Sequence, residues 1–143
     1  MAIRDLPITD ISNLIPQKIP FIMVDTLLEF SPKKIVSSYY IPDSNLFIQD
    51  NQFLESGLIE NMAQTVALHT GYDYFLKGED APTWYIGSIK KVEVFQLPQL
   101  NETIVTEALI LHEFMGVTMV EVTAFNTKKE VIASAQMKTV IAS

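Results

Sequence analysis

The stretch that most limits what this chain can fold into is ESGLIENMAQTVALHTGYDYF, residues 55–75. It reads as one helix, ending near Tyr74–Lys77 with Gly78 as its C-cap. At 3.6 residues per turn, Leu58, Met62, Val66 and Thr70 form one stripe and Ile59, Ala63 and Ala67 a second. Thr65, Leu68 and Tyr72 point in still other directions. A helix apolar nearly all round must be covered nearly all round. One curved sheet covers only part of it, so a second subunit is the expected remaining cover, and a homodimer is predicted.

The flanking sequence supplies the sheet. PFIMVDTLLEF (20–30) and KKIVSSYYI (33–41) read as strands joined around Ser31-Pro32, and a loop rich in Asn, Asp and Gln runs from Pro42 to about Gln52. After the helix come WYIGSIKKVEVF (84–95), ETIVTEALILHEF (102–114), GVTMVEVTAFNT (116–127) and EVIASAQMKTVIA (130–142). These are long, rich in β-branched residues and separated by short turns, which require antiparallel pairing. Ahead of them TDISNLIPQ is expected to be a short helix capped by Thr9 or Asp10 and stopped by Pro16. The fold class is therefore α+β, an antiparallel sheet with one central helix on one face. A length of 143 residues suits one compact domain, 1–143, and is short for two.

Several function classes drop out on composition. Without cysteine there is no disulfide, no thiolate nucleophile and no cysteine-held metal. Neither His69 nor His112 has a second histidine at a metal-ligand spacing, and Gly-rich phosphate loops and Gly-x-Ser-x-Gly elbows are missing, so no metal and no cofactor are expected. A net charge of -7 argues against nucleic-acid binding. No apolar run is long enough to span a membrane, and MAIRDLPITD lacks the apolar centre of an export signal, so a cytoplasmic protein is expected.

One charge stands inside the apolar run of the helix. Glu60 follows Ile59, adjoins Asn61 and precedes Gln64 by one turn, which places Glu60 and Gln64 on one face within reach of a shared group. Two readings are open: a site carboxylate, or a helix N-terminal charge stabilised by the helix dipole, an effect of about 0.3–1 kcal/mol.

Three segments, in order, resemble the 3-hydroxyacyl-acyl-carrier-protein dehydratases of the FabZ/FabA type: LIPQKIPFIMVDTLLEF (14–30), GLIENMAQTVAL (57–68) and, more weakly, YIGSIKKVEVFQLPQLNET (85–103). The resemblance implies a hotdog fold and removal of water from a 3-hydroxyacyl thioester carried on acyl carrier protein or coenzyme A. By motif, Glu60 becomes the catalytic carboxyl group and Gln64 a group that orients the site. The backbone at Ser56 and Gly57 becomes the cradle of the thioester oxygen, with Gly57 permitting close approach of the acyl chain. The family's catalytic histidine loop is replaced by LFIQDNQFLES (46–56), with Asp50 and Asn51 at the nearest match, and the histidine of its Leu-Pro-His motif is replaced by Gln17. Asn51 and Gln17 can orient a water or a carbonyl, but an amide cannot take the C2 proton.

Three alternatives follow: Asp50 substitutes as base, Glu60 serves alone, or the chain keeps the thioester pocket as a non-catalytic partner subunit of an active homologue. His69 lies about 180° round the helix from Glu60 and cannot serve it within one chain. A hotdog thioesterase using the same helix carboxylate is a further reading. MAQTVALHTGY resembles the branch associated with aryl-polyene and flexirubin-type pigments. Lys33-Lys34 and Lys90-Lys91 are the candidate docking points for an acidic carrier.

Overall fold

The computed structural model describes residues 6–142; residues 1–5, the first half of MAIRDLPITD, and Ser143 lie outside the described residues. The elements are β1 (Thr26–Ser31), β2 (Lys34–Tyr40), β3 (Ile48–Gln49), β4 (Gln52–Phe53), α1 (Glu55–Lys77), β5 (Trp84–Val94), β6 (Thr103–Phe114), β7 (Val117–Phe125) and β8 (Val131–Ile141). Six strands form one antiparallel sheet in the order β1-β2-β6-β7-β8-β5, and α1 lies against β2, β6 and β7. This is the hotdog arrangement, with the helix as filling.

Period-two burial produces it. In β6, Ile104, Thr106, Ala108 and Ile110 are buried while the alternating Thr103, Val105, Glu107 and Leu109 are half-buried, so one face of the strand meets the helix. Val120, Val122 and Ala124 of β7 and Ala133, Ala135 and Met137 of β8 extend that face. Leu58, Met62, Leu68 and Tyr72 of α1 are almost wholly buried. The helix ends where Gly78 takes a left-handed φ of 70°, and the Gly78 and Glu79 N–H groups donate to the Phe75 and Tyr74 carbonyls.

Three local expectations are corrected. Residues 9–16 are not a helix: the Asp10 carboxylate accepts from the Ser12 backbone N–H (3.2 Å) and hydroxyl (2.7 Å), closing a local turn instead of capping a helix. Ile11, Leu14 and Ile15 are buried, and the Leu14 carbonyl lies so close to Gly71 that any Cβ there would overlap it. The first strand begins at Thr26, not Pro20, because residues 21–23 are taken up by side chains of the helix. The loop between β2 and α1 holds a small hairpin, β3–β4, turning at Asp50-Asn51.

Candidate active site

Glu60 is half-buried near the start of α1, and the residues that follow on its face are Ala63, Ala67 and Gly71. Small side chains at this spacing leave a trough along the helix. Residues 12–18 and the first residues of β5 wall it in, giving a cavity of about 720 Å³ in which Glu60 is the only carboxylate among the described residues. Gln17 also lines the cavity, and its Oε1 is buried without a hydrogen-bond partner among the described residues. Such an acceptor calls for a donor. Lys18 sits in the same wall and donates to the Ser12 carbonyl at 2.6 Å, closing the loop on itself.

Gln64 faces elsewhere. Its Oε1 accepts from the Met23 N–H at 2.6 Å and its Nε2 donates to the Phe21 carbonyl at 3.0 Å, whereas Glu60 Oε1 is 3.5 Å away, at the limit of a hydrogen bond. Asn61 completes the grip: its Nδ2 donates to the Met23 carbonyl (2.7 Å) and its Oδ1 accepts from Thr106 (2.6 Å). Thr65 pairs with Ser37 at 2.7 Å and also donates to the Asn61 carbonyl at 2.8 Å. All four partners of this set, Ser37, Asn61, Thr65 and Thr106, are fully buried. Together with Gln64 they fix the rotation of α1 against residues 21–23, β2 and β6, and so aim Glu60. Among them only Asn61 stood out in the sequence, as a polar neighbour of Glu60; nothing local distinguishes Ser37, Thr65 or Thr106.

The structure brings Glu60 and Gln17 together and leaves the other named residues out of the cavity. Asp50 and Asn51 are exposed at the β3–β4 turn with φ of 53° and 62°, and the Asn51 carbonyl accepts from the Leu100 N–H at 2.8 Å. Ser56 is exposed in the first helical turn, and Gly57 is buried where a Cβ would overlap the Phe53 ring. The space Gly57 leaves is therefore filled by Phe53.

His69 lies on another face of α1. Its Nε2 is 2.9 Å from the Ser31 carbonyl oxygen and its ring stacks on Phe30 at 4.9 Å. Burial pushes its pKa below the ordinary value, against the opposing pull of the Ser31 carbonyl, Asp73 and Glu113. It lines a second cavity of about 330 Å³ beneath the sheet. Among the described residues no three His, Asp or Glu side chains converge as a metal site, and no helix is long and apolar enough to cross a membrane.

Residues 9–142 match the sequence profile of the ApeP-like family, described as ApeP dehydratase. The chain belongs to the ApeP-like dehydratase family. No curated protein matches it in sequence. Among solved structures, it is similar to the dehydratase heterocomplex ApeI:P from Xenorhabdus doucetiae, with 15% identity, a TM-score of 0.85, and coverage of 98% of this chain and 93% of that one. An uncharacterised protein from Pyrococcus horikoshii aligns over 97% and 96% of the two chains (12% identity, TM-score 0.70). A hypothetical thioesterase with coenzyme A from Streptococcus pneumoniae aligns over 82% and 84% (8% identity, TM-score 0.68). At these identities the structural likenesses establish the hotdog fold, while the profile match gives the family of this ApeP-like chain.

Proposed function

We propose that the chain acts on 3-hydroxyacyl thioesters in the removal of water, with Glu60 as the acid–base group. The observation that carries this is the cavity in which, among the described residues, Glu60 is the only carboxylate and the Gln17 oxygen beside it has no hydrogen-bond partner. Elimination requires a proton to leave C2, the C3–O bond to break, and a proton to reach the departing hydroxyl. One carboxylate can do both, because the proton it takes from C2 is the proton the hydroxyl needs. The Gln17 carbonyl oxygen, an acceptor without a donor, suits the substrate's 3-hydroxyl or an amide N–H of its carrier arm. Gln64 serves as a positioning residue, since its polar atoms hold backbone.

A second reading has its own support. β5 is an edge strand, with Tyr85, Ile89 and Val92 exposed beside the cavity's wall, and the structural neighbour ApeI:P is a heterocomplex. A second hotdog subunit, a copy of this chain or a homologue, pairing along β5 would cover that edge and could place a second acid–base group opposite Glu60. Carrier docking favours Lys90-Lys91, because Lys34 already pairs with Glu107 (3.3 Å) and Glu29 (3.7 Å).

The test is to incubate the purified chain, alone and with any co-purifying homologue, with a 3-hydroxyacyl-carrier thioester, following enoyl product and free thiol. Enoyl product that disappears in Glu60→Gln is expected. Thiol release would make the chain a thioesterase. Binding without turnover, restored by the homologue, would make it the partner subunit. Undiminished activity in Glu60→Gln would remove the residue assignment.

A further inference from the structure

We infer that Trp84, the chain's one tryptophan, sets the length of acyl chain that the Glu60 cavity accepts. The inference rests on the reading above that this cavity takes an acyl thioester. Trp84 is the first residue of β5 and half-buried, and it lines both cavities, the one of about 720 Å³ with Glu60 and the one of about 330 Å³ with His69. It is the residue of β5 that stands between them.

The trough that starts at Glu60 has no side-chain bulk on its helical floor until it reaches this indole. Ala67 lies seven residues beyond Glu60 and Gly71 eleven, about 10 and 16 Å along the axis at 1.5 Å per residue. A thioester with C2 and C3 at Glu60 therefore has a straight path for its tail along Ala63 and Ala67. Gly71 cannot be the stop, since it has no side chain and lies against the Leu14 carbonyl. Thr70 and Tyr74, one turn on, line the second cavity together with Trp84, so the indole meets the tail where the two spaces adjoin.

What lies behind the indole makes the wall consequential. The deep part of the second cavity is apolar, with Val66, Ala108, Ile110 and Val120 buried. Loss of the indole would join the two spaces and extend an acyl path by nearly half its present volume, from about 720 Å³ by about 330 Å³. Tails ending before Trp84 would not register the change. Longer ones, which must now displace a packed ring, would.

The experiment compares kcat/KM for a series of saturated 3-hydroxyacyl thioesters of increasing length, using the full chain, Trp84→Ala, and Trp84→Ala combined with Thr118→Leu. Thr118 is half-buried in the wall of the second cavity, so leucine there refills the space. Trp84→Ala should raise kcat/KM for the longest chains relative to the shortest roughly tenfold or more, in keeping with the worth of a methylene in an apolar pocket. The added leucine should cancel the gain. An active Trp84→Ala with an unaltered length profile overturns the inference.

A second measurement decides the matter whether or not that variant folds or any chain turns over. Because Trp84 is the only tryptophan, its fluorescence in the unmodified chain reports contact directly. Titration with non-reactive acyl-pantetheine amides should shift the emission only beyond a threshold length. Emission unmoved by every amide that binds, or no binding at any length, overturns it. Fluorescence that obeys the threshold without enoyl formation would sink the dehydratase reading and leave the length stop standing.

Discussion

Gln64→Met should destabilise the chain while leaving substrate binding nearly unchanged. Methionine matches glutamine in length and bulk, so the substitution removes two polar atoms and little packing. Gln64 is 1% exposed and Met23 fully buried, so the Met23 N–H, now held at 2.6 Å, would lose its partner where water does not reach. An orphaned buried donor costs about 1–3 kcal/mol. The Phe21 carbonyl, held at 3.0 Å, belongs to an exposed residue that water can serve, so its loss is smaller, about 1 kcal/mol or less. The sum is about 1–4 kcal/mol.

For a chain of this size such a loss lowers Tm by roughly 3–14 °C. Equilibrium unfolding in urea, followed by Trp84 emission, should show a lower midpoint with an unchanged slope. Asn61→Leu removes the donor to the neighbouring Met23 carbonyl, and the double variant should be less than additive because both side chains hold one peptide segment. If Gln64 instead binds substrate, Gln64→Met would raise KM and change the unfolding free energy by less than about 0.5 kcal/mol. That outcome would refute the positioning role.

Other variants probe the rest of the frame. Gly71→Ala drives a Cβ into the Leu14 carbonyl, a backbone atom that cannot rotate aside, and should cost about 1–3 kcal/mol by urea unfolding. Asn51→Gly should be neutral or better in stability and activity, because glycine takes a φ of 62° freely, whereas Asn51→Val should cost about 1–2 kcal/mol. His69 is held neutral by burial, so the unfolded chain binds its proton more readily than the folded one. Its contribution is intact above about pH 6.5 and lost as pH falls from there through the lower folded pKa. His69→Gln should therefore flatten the stability slope between about pH 7 and pH 5, read from urea midpoints.

The helix and the four strands that follow it were legible because each is long and its residues agree at every level: an unbroken apolar run with a glycine cap, then β-branched runs between short turns. Residues 8–25 were not. TDISNLIPQ carries a cap residue and a proline stop, which are local signals, but the groups that decide its path are distant. Gly71 lets the Leu14 backbone approach, and Gln64 and Asn61 hold Phe21 and Met23. Asp50-Asn51 was a turn signal as much as a site signal, and the positive φ at both positions marks it as the turn of a hairpin too short to show periodicity.

The spacing of Glu60 and Gln64 was misleading in a more instructive way. Residues four apart share a helical face, but side chains this long choose their partners from either flank of that face. Gln64 turns toward residues 21–23, while Glu60 turns toward the space left by Ala63 and Ala67. The same two alanines that read as part of an apolar stripe are thus what keeps a carboxylate in an otherwise buried helix accessible to a ligand.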